Sequence, residues 1–181
     1  MYNCLRGIDF MKVLLVIDMQ NDFIDGTLGT AEAQSIVNDV VNRVKNFDGK
    51  VLFTRDTHFD NYIDTLEGKH LPIPHCIKDT KGWQICDKLL PFIKDKPFDK
   101  LTFASVDLEK YMLELSKLED IESITLIGLC TDICVISNAL LLKANFIDIP
   151  IIVEEKLCAG VSPQSHKSAI DVMKMCQIDI I

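Results

Sequence analysis

The run Lys12-Val13-Leu14-Leu15-Val16-Ile17, followed at once by Asp18, constrains the fold more than any other stretch of the chain. Five aliphatic residues in a row, rich in Val and Ile and stopped by a carboxylate, read as a strand buried on both faces. Strands of that kind belong to parallel sheets covered by helices on each side. Similar runs follow at Lys50 to Thr54, Glu122 to Gly128, Ile149 to Val153 and Ile178 to Ile181. Helical spacing fills the gaps between them. Ile36, Val37, Val40, Val41 and Val44 recur within Thr30 to Phe47, which Asp48-Gly49 ends. Leu108, Tyr111, Met112, Leu115 and Leu118 follow Asp107, and Val135, Ala139 and Leu142 lie between Asp132 and Ala144. Ser162-Pro163 supplies a cap and a first-turn proline for a last helix to about Met175. A short helix around Gln84 to Leu90 and a strand around Pro91 to Lys96 complete the expected order. The alternation predicts a single doubly wound α/β domain, three-layered and Rossmann-like, with a central parallel sheet of about six strands.

Composition narrows the class. A chain of 181 residues, 48% hydrophobic and 25% charged, is an ordinary globular one. Its 19 basic and 27 acidic residues give a formal charge of −8, which argues against nucleic acid as a partner. No apolar stretch approaches the ~20 residues needed to span a membrane. Residues 1–11 read as an N-terminal extension, with Met11-Lys12 a natural start directly before the first strand, and residues 12–181 as the domain. The seven cysteines are odd in number and irregularly spaced, so reduced thiols and a cytoplasmic setting are expected.

Doubly wound sheets bind ligands beyond the carboxyl ends of their strands. Those ends carry Asp18, then Asp56 and His58, then Lys100, then Gly128 to Cys134. No glycine-rich phosphate loop follows the first strand, which disfavours Rossmann-type nucleotide binding. Cys134 lies just inside a helix start, where peptide N–H groups and the helix dipole favour a thiolate. Asp18 is placed to serve as its general base and Lys100 to hold both electrostatically. Taken singly, these residues are equally a core thiol, a loop cap and a surface lysine.

Asp56, His58 and a third histidine are candidate metal ligands. Two come from one Asp-x-His step, and the third is His75 or His70 from the long irregular stretch Arg55 to Trp83. One carboxylate with two imidazoles suits Zn²⁺, Mn²⁺ or Fe²⁺. Long irregular stretches inside compact domains are usually functional.

Four segments in register, Val16-Ile17-Asp18-Met19-Gln20-Asn21-Asp22-Phe23, Thr54-Arg55-Asp56-Thr57-His58, Pro74-His75-Cys76 and Gly128-Leu129-Cys130-Thr131-Asp132-Ile133-Cys134-Val135, resemble the isochorismatase-like cysteine hydrolases. The Asp-x-His and the later histidine resemble the nicotinamidase-related branch. The resemblance implies a catalytic Asp18, Lys100 and Cys134, with Cys130 and Cys134 backbone amides as the oxyanion hole and a cis peptide between Leu129 and Cys130. It also implies a divalent metal, zinc first and Mn or Fe otherwise, on Asp56, His58 and His75, and a homo-oligomer. Phe23 and Phe103 are the expected substrate-pocket walls. The implied reaction hydrolyses a small amide, nicotinamide first, to its acid and ammonia through a thioester. Another amide, a carbamoyl compound, or a non-catalytic metal-binding module are the alternatives. After the lysine this chain departs from the nicotinamidase pattern, reading Lys100-Leu101-Thr102-Phe103-Ala104-Ser105. Lys96 therefore competes with Lys100, which is preferred because Phe103 and the Asp107-Leu108 helix start follow it in register.

Overall fold

The computed structural model describes residues 10–181; most of the expected N-terminal extension lies outside the described residues, and Met11 opens the first strand. Six strands form one sheet in the order β3-β2-β1-β4-β5-β6, all pairs parallel. They are β1 Met11–Ile17, β2 Lys50–Asp56, β3 Phe98–Lys100, β4 Ile121–Leu129, β5 Ile151–Ala159 and β6 Asp179–Ile180. The helices are α1 Asn21–Ile24, α2 Ala31–Lys45, α3 Leu66–His70, α4 Val106–Leu115, α5 Ile136–Asn145 and α6 Pro163–Met175.

β1 shows why its residues are continuously apolar. Val13, Leu15 and Ile17 face a core shared with α4, α5 and α6, through Leu108, Met112, Ala139, Leu142, Ile170 and Met173. Leu14 and Val16 face the opposite core, built from α2 residues Ile36, Val37, Val40 and Val44 with Trp83, Ile85 and Leu89. A strand with helices on both sides has no solvent face, so alternation disappears. The strand order reverses between β1 and β4, and the crevice at that switch point opens beside Asp18 and the segment after Leu129.

Local chemistry sets the helix ends. Thr30 accepts a hydrogen bond from the Ala33 amide to start α2, and Ser162 with Ser165 forms a reciprocal cap on α6. Gly128, at φ +116, lets β4 pass close to β1; a Cβ there would run into the Ile17 carbonyl oxygen.

Four expectations are corrected. The third strand is Phe98–Lys100, not Pro91 to Lys96, because prolines at 91 and 97 withhold the N–H a ladder needs. Pro91 instead lies in a single 3₁₀ turn, Leu90–Phe92, and Gln84 to Leu89 form turns rather than a helix. The expected helix from Asp132 begins as a π-helical turn, Thr131–Val135, before α5. β5 also runs six residues beyond Val153; its half-buried Glu154 is masked in the sequence pattern and pairs with Arg43 at 2.7 Å.

Candidate active site

Asp18 follows β1 with φ 45, a left-handed turn that Asp tolerates better than most residues. Its backbone amide donates to Thr54 Oγ1 at 3.2 Å, and the same hydroxyl donates to Asp18 Oδ1 at 2.6 Å. Asp18 Oδ2 has no well-directed hydrogen bond, but the Lys100 ammonium lies 2.7 Å away. Lys100 ends β3, paired with Asp56 at the end of β2. From there its Nζ also reaches Asp56 Oδ1 at 3.4 Å and Cys134 Sγ at 3.3 Å. All three side chains are buried.

This packing reverses the expectation for the thiol. Burial, then the negative charge of Asp18, pushes Cys134 well above an ordinary thiol, and Lys100 only partly offsets them. Desolvation outweighs whatever the helix start contributes, so the resting group is a neutral thiol. Burial likewise raises Asp18 against the pull of Lys100. Burial works against the charged form of Lys100, but the Asp18 and Asp56 carboxylates beside it hold it well above an ordinary lysine.

The backbone around the thiol is unusual. The Leu129–Cys130 peptide is cis, as the resemblance implies. The Cys130 carbonyl accepts from the amides of Ile133 and Val135 at 3.1 and 3.0 Å. Asn138, one turn into α5, ties this turn to the loop after Lys100. Its Nδ2 donates to Cys134 O at 2.7 Å and Phe103 O at 3.1 Å, and its Oδ1 accepts from the Ser105 amide at 2.9 Å.

Beside Lys100, the ligating atoms of Asp56, His58, Glu67 and His75 all lie within 4.8 Å of one another. His58 Nε2 stands 3.0 Å and His75 Nε2 3.6 Å from Asp56 Oδ2, while Glu67 Oε1 is 3.5 and 3.9 Å from the same two nitrogens. His75 Nδ1 faces the Ile73 carbonyl at 2.8 Å, which turns Nε2 into the cluster. Gln20 grips Asp56 from behind, accepting its N–H at 2.7 Å and donating to its C=O at 2.9 Å. Burial raises the Asp56 carboxyl, but hydrogen bonds with His58 and His75 and the Lys100 charge outweigh it and keep the group anionic. Two carboxylates and two converging imidazoles, the His75 ring oriented by the Ile73 carbonyl, fit a divalent cation. Asp22 brings the long loop back, accepting the Cys76 amide at 2.7 Å, while His58 N–H donates to Cys76 O at 3.0 Å.

Of the residues singled out in the sequence, Asp18, Lys100 and Cys134 meet, and so do Asp56, His58 and His75. Lys96 is exposed on the approach to β3, and His70 lies on α3 outside the four-residue cluster. Phe23 is buried with its ring 5.7 Å from that of His75, whereas Phe103 is half exposed at the rim of a cleft. Trp83 packs the long loop, donating to Thr57 Oγ1 at 2.8 Å with Arg55 3.7 Å above its ring. Glu67, Thr54, Gln20 and Asn138 carried no distinct role in the sequence.

The isochorismatase domain model matches residues 12–181. PncA, an uncharacterized isochorismatase family protein of Bacillus subtilis, is 30% identical over 88% of this chain and 92% of its own length. The nicotinamidase/pyrazinamidase of Mycobacterium tuberculosis is 25% identical over 94% of this chain and 98% of its own. The structure of a Pyrococcus horikoshii pyrazinamidase in complex with zinc superposes with a TM-score of 0.74 at 24% identity, covering 94% of this chain and 98% of that one. A match that takes in β1 through β6 and every group gathered at the switch point leaves one assignment: the chain belongs to the isochorismatase family.

Proposed function

We propose that the protein is a metal-dependent cysteine amidohydrolase that converts nicotinamide to nicotinate and ammonia. The observation that carries this reading is the buried contact of Lys100 with Asp18, Cys134 and Asp56 at 2.7, 3.3 and 3.4 Å. It ties a thiol–carboxylate pair to a cation-binding cluster. Nicotinamidase relatives along nearly the whole chain support nicotinamide as the substrate.

In this mechanism Asp18 takes the Cys134 proton and the sulfur attacks the amide carbonyl, forming a C–S bond. The developing oxyanion is received by the Cys130 and Cys134 amides, where the loss of one donor typically costs ~3–4 kcal/mol. Asp18 returns the proton to the departing nitrogen, the C–N bond breaks, and ammonia leaves. Water then attacks the thioester, Asp18 accepting its proton, and the acid is released with the thiol restored. Lys100 keeps Asp18 in place and balances the charge that passes between carboxylate and sulfur. A divalent cation held by Asp56, His58, Glu67 and His75, with zinc the leading choice, would supply a Lewis-acidic position for a substrate ring nitrogen or a water. Phe23 supports His75 from the side.

Ammonia release from nicotinamide by the metal-loaded protein tests the reading. Cys134→Ala is expected to lose roughly 10³-fold or more in kcat. Turnover of a carbamoyl compound with none of nicotinamide moves the protein to another hydrolase of the family. A silent amide panel with a Cys134 that resists alkylation leaves a binding module.

A further inference from the structure

A cleft of about 730 Å³ opens against the candidate site. Its inner end is polar and belongs to the cation cluster, through His58 and Glu67. Its mouth carries the apolar side chains Phe59, Leu66, Leu101 and Phe103, together with the exposed Asn61, His70 and Thr102. Leu101 and Phe103 stand one and three residues after Lys100 in the chain, so the loop behind the lysine forms one wall of the cleft and the segment from Thr57 to His70 the other. These mouth residues are far more exposed than apolar side chains in a concave surface usually are: 74% for Leu66, 62% for Leu101, 48% for Phe59 and 47% for Phe103.

Size and polarity together describe a ligand. Cavities of about 300–1,000 Å³ bury most of a drug-sized molecule, with a few polar groups fixing its orientation. A single-ring amide seated at the cation cluster fills the polar end and leaves the apolar mouth in water. Exposed apolar patches rimmed by polar residues mark surfaces that something covers. A concave, bipolar cleft suits a small molecule with one polar and one apolar end better than the flatter face of a protein.

Resting on the amidohydrolase reading above, we propose that the cleft seats the distal part of the substrate, and that the substrate class is a ring amide carrying an extended apolar substituent. Phe59, Leu66, Leu101 and Phe103 are then its specificity-determining residues. The reacting carbonyl lies at Cys134, and the substituent runs outward between the segment bearing Phe59 and Leu66 and the loop after Lys100.

The test is a series of nicotinamides bearing straight alkyl groups of increasing length at each open ring carbon, assayed by ammonia release with the metal-loaded full chain. At one ring position kcat/KM is expected to rise about 3–4-fold for each methylene buried, until the cleft is full, mainly through KM. In Leu66→Gln and Leu101→Gln the ratio of the pentyl compound to the parent is expected to fall at least tenfold. That ratio is internal to each variant, so a partial loss of folded protein cancels. Calorimetric binding of the corresponding carboxylic acids reads the cleft without turnover. If parent nicotinamide is hydrolysed and no extended amide or acid gains, the proposal is wrong. If no amide turns over yet acid affinity climbs with chain length, the reaction assigned above is wrong and the cleft assignment stands. A self-associated protein that these two variants break into monomers, with a flat series, gives the cleft to a second copy of the chain and overturns the proposal.

Discussion

At the residue scale the site is a problem in buried charge. Asp18 and Lys100 are almost fully out of water, and one ammonium answers to Asp18, Asp56 and the Cys134 sulfur. Removing one member of a buried pair leaves the other uncompensated, typically at 3–5 kcal/mol. Lys100→Met is therefore expected to lose about 3–5 kcal/mol in urea unfolding. The double variant with Asp18→Asn should lose clearly less than the two single losses added together, because the pair is coupled. Gln20 acts one step back, since it touches only the peptide of Asp56 and the Trp83 carbonyl. Gln20→Ala is expected to weaken zinc binding roughly 10- to 100-fold, measured by competition with a chromogenic chelator. Unchanged affinity would mean that the strand end holds Asp56 unaided. The placing of Asp18 and Cys134 at one sheet edge was legible in the sequence because β1 and β4 are long strands whose ends can be counted along the chain. Lys100 was singled out instead by the register of Phe103 and the Asp107-Leu108 helix start. Glu67, Thr54 and Asn138 were not legible, because each meets its partner through packing that no local pattern encodes.

At the scale of elements, the long strands and the amphipathic helices were readable because burial imposes a period on them. β3 was not. It is three residues long, and its register against Thr54, Arg55 and Asp56 comes from neighbours instead of from its own composition. The turn at Thr131–Val135 was hidden for a similar reason, since its widened hydrogen bonding leaves no trace in hydrophobic spacing. Gly128 is the element-level weak point, being at a φ that side chains avoid and against the Ile17 carbonyl. Gly128→Ala is expected to cost about 2–4 kcal/mol. A shift in the urea midpoint of less than a few tenths molar would show that β4 can move away from β1 at little cost.

Across the whole molecule, the described cysteines are all free thiols, and several are deeply buried. Burial pushes Cys158 and Cys130 each up to about 12, where an ordinary thiol stands near 9. In the unfolded chain these groups ionise near pH 9, so between about pH 9 and 12 the folded state binds more protons. The sign follows: their stabilisation is complete below pH 9 and is lost as pH rises through the folded values. Each such thiol should remove about 1.4 kcal/mol per pH unit in that window. Urea titrations at pH 8 and pH 10 under reducing conditions check this, and Cys158→Ala should flatten the decline. No helix among the described residues is long and apolar enough to cross a membrane.

The sheet order has a last consequence, and it is kinetic. Asp18, Asp56, Lys100 and Cys134 hang from β1, β2, β3 and the end of β4, so the groups at the switch point are neighbours only across the sheet, never along the chain. Contacts of such long sequence separation form late, because loop closure must be paid for before they give anything back. During refolding from urea, helical circular dichroism should therefore recover ahead of turnover, since only a segment that runs from β1 through the Thr131–Val135 turn carries all four groups.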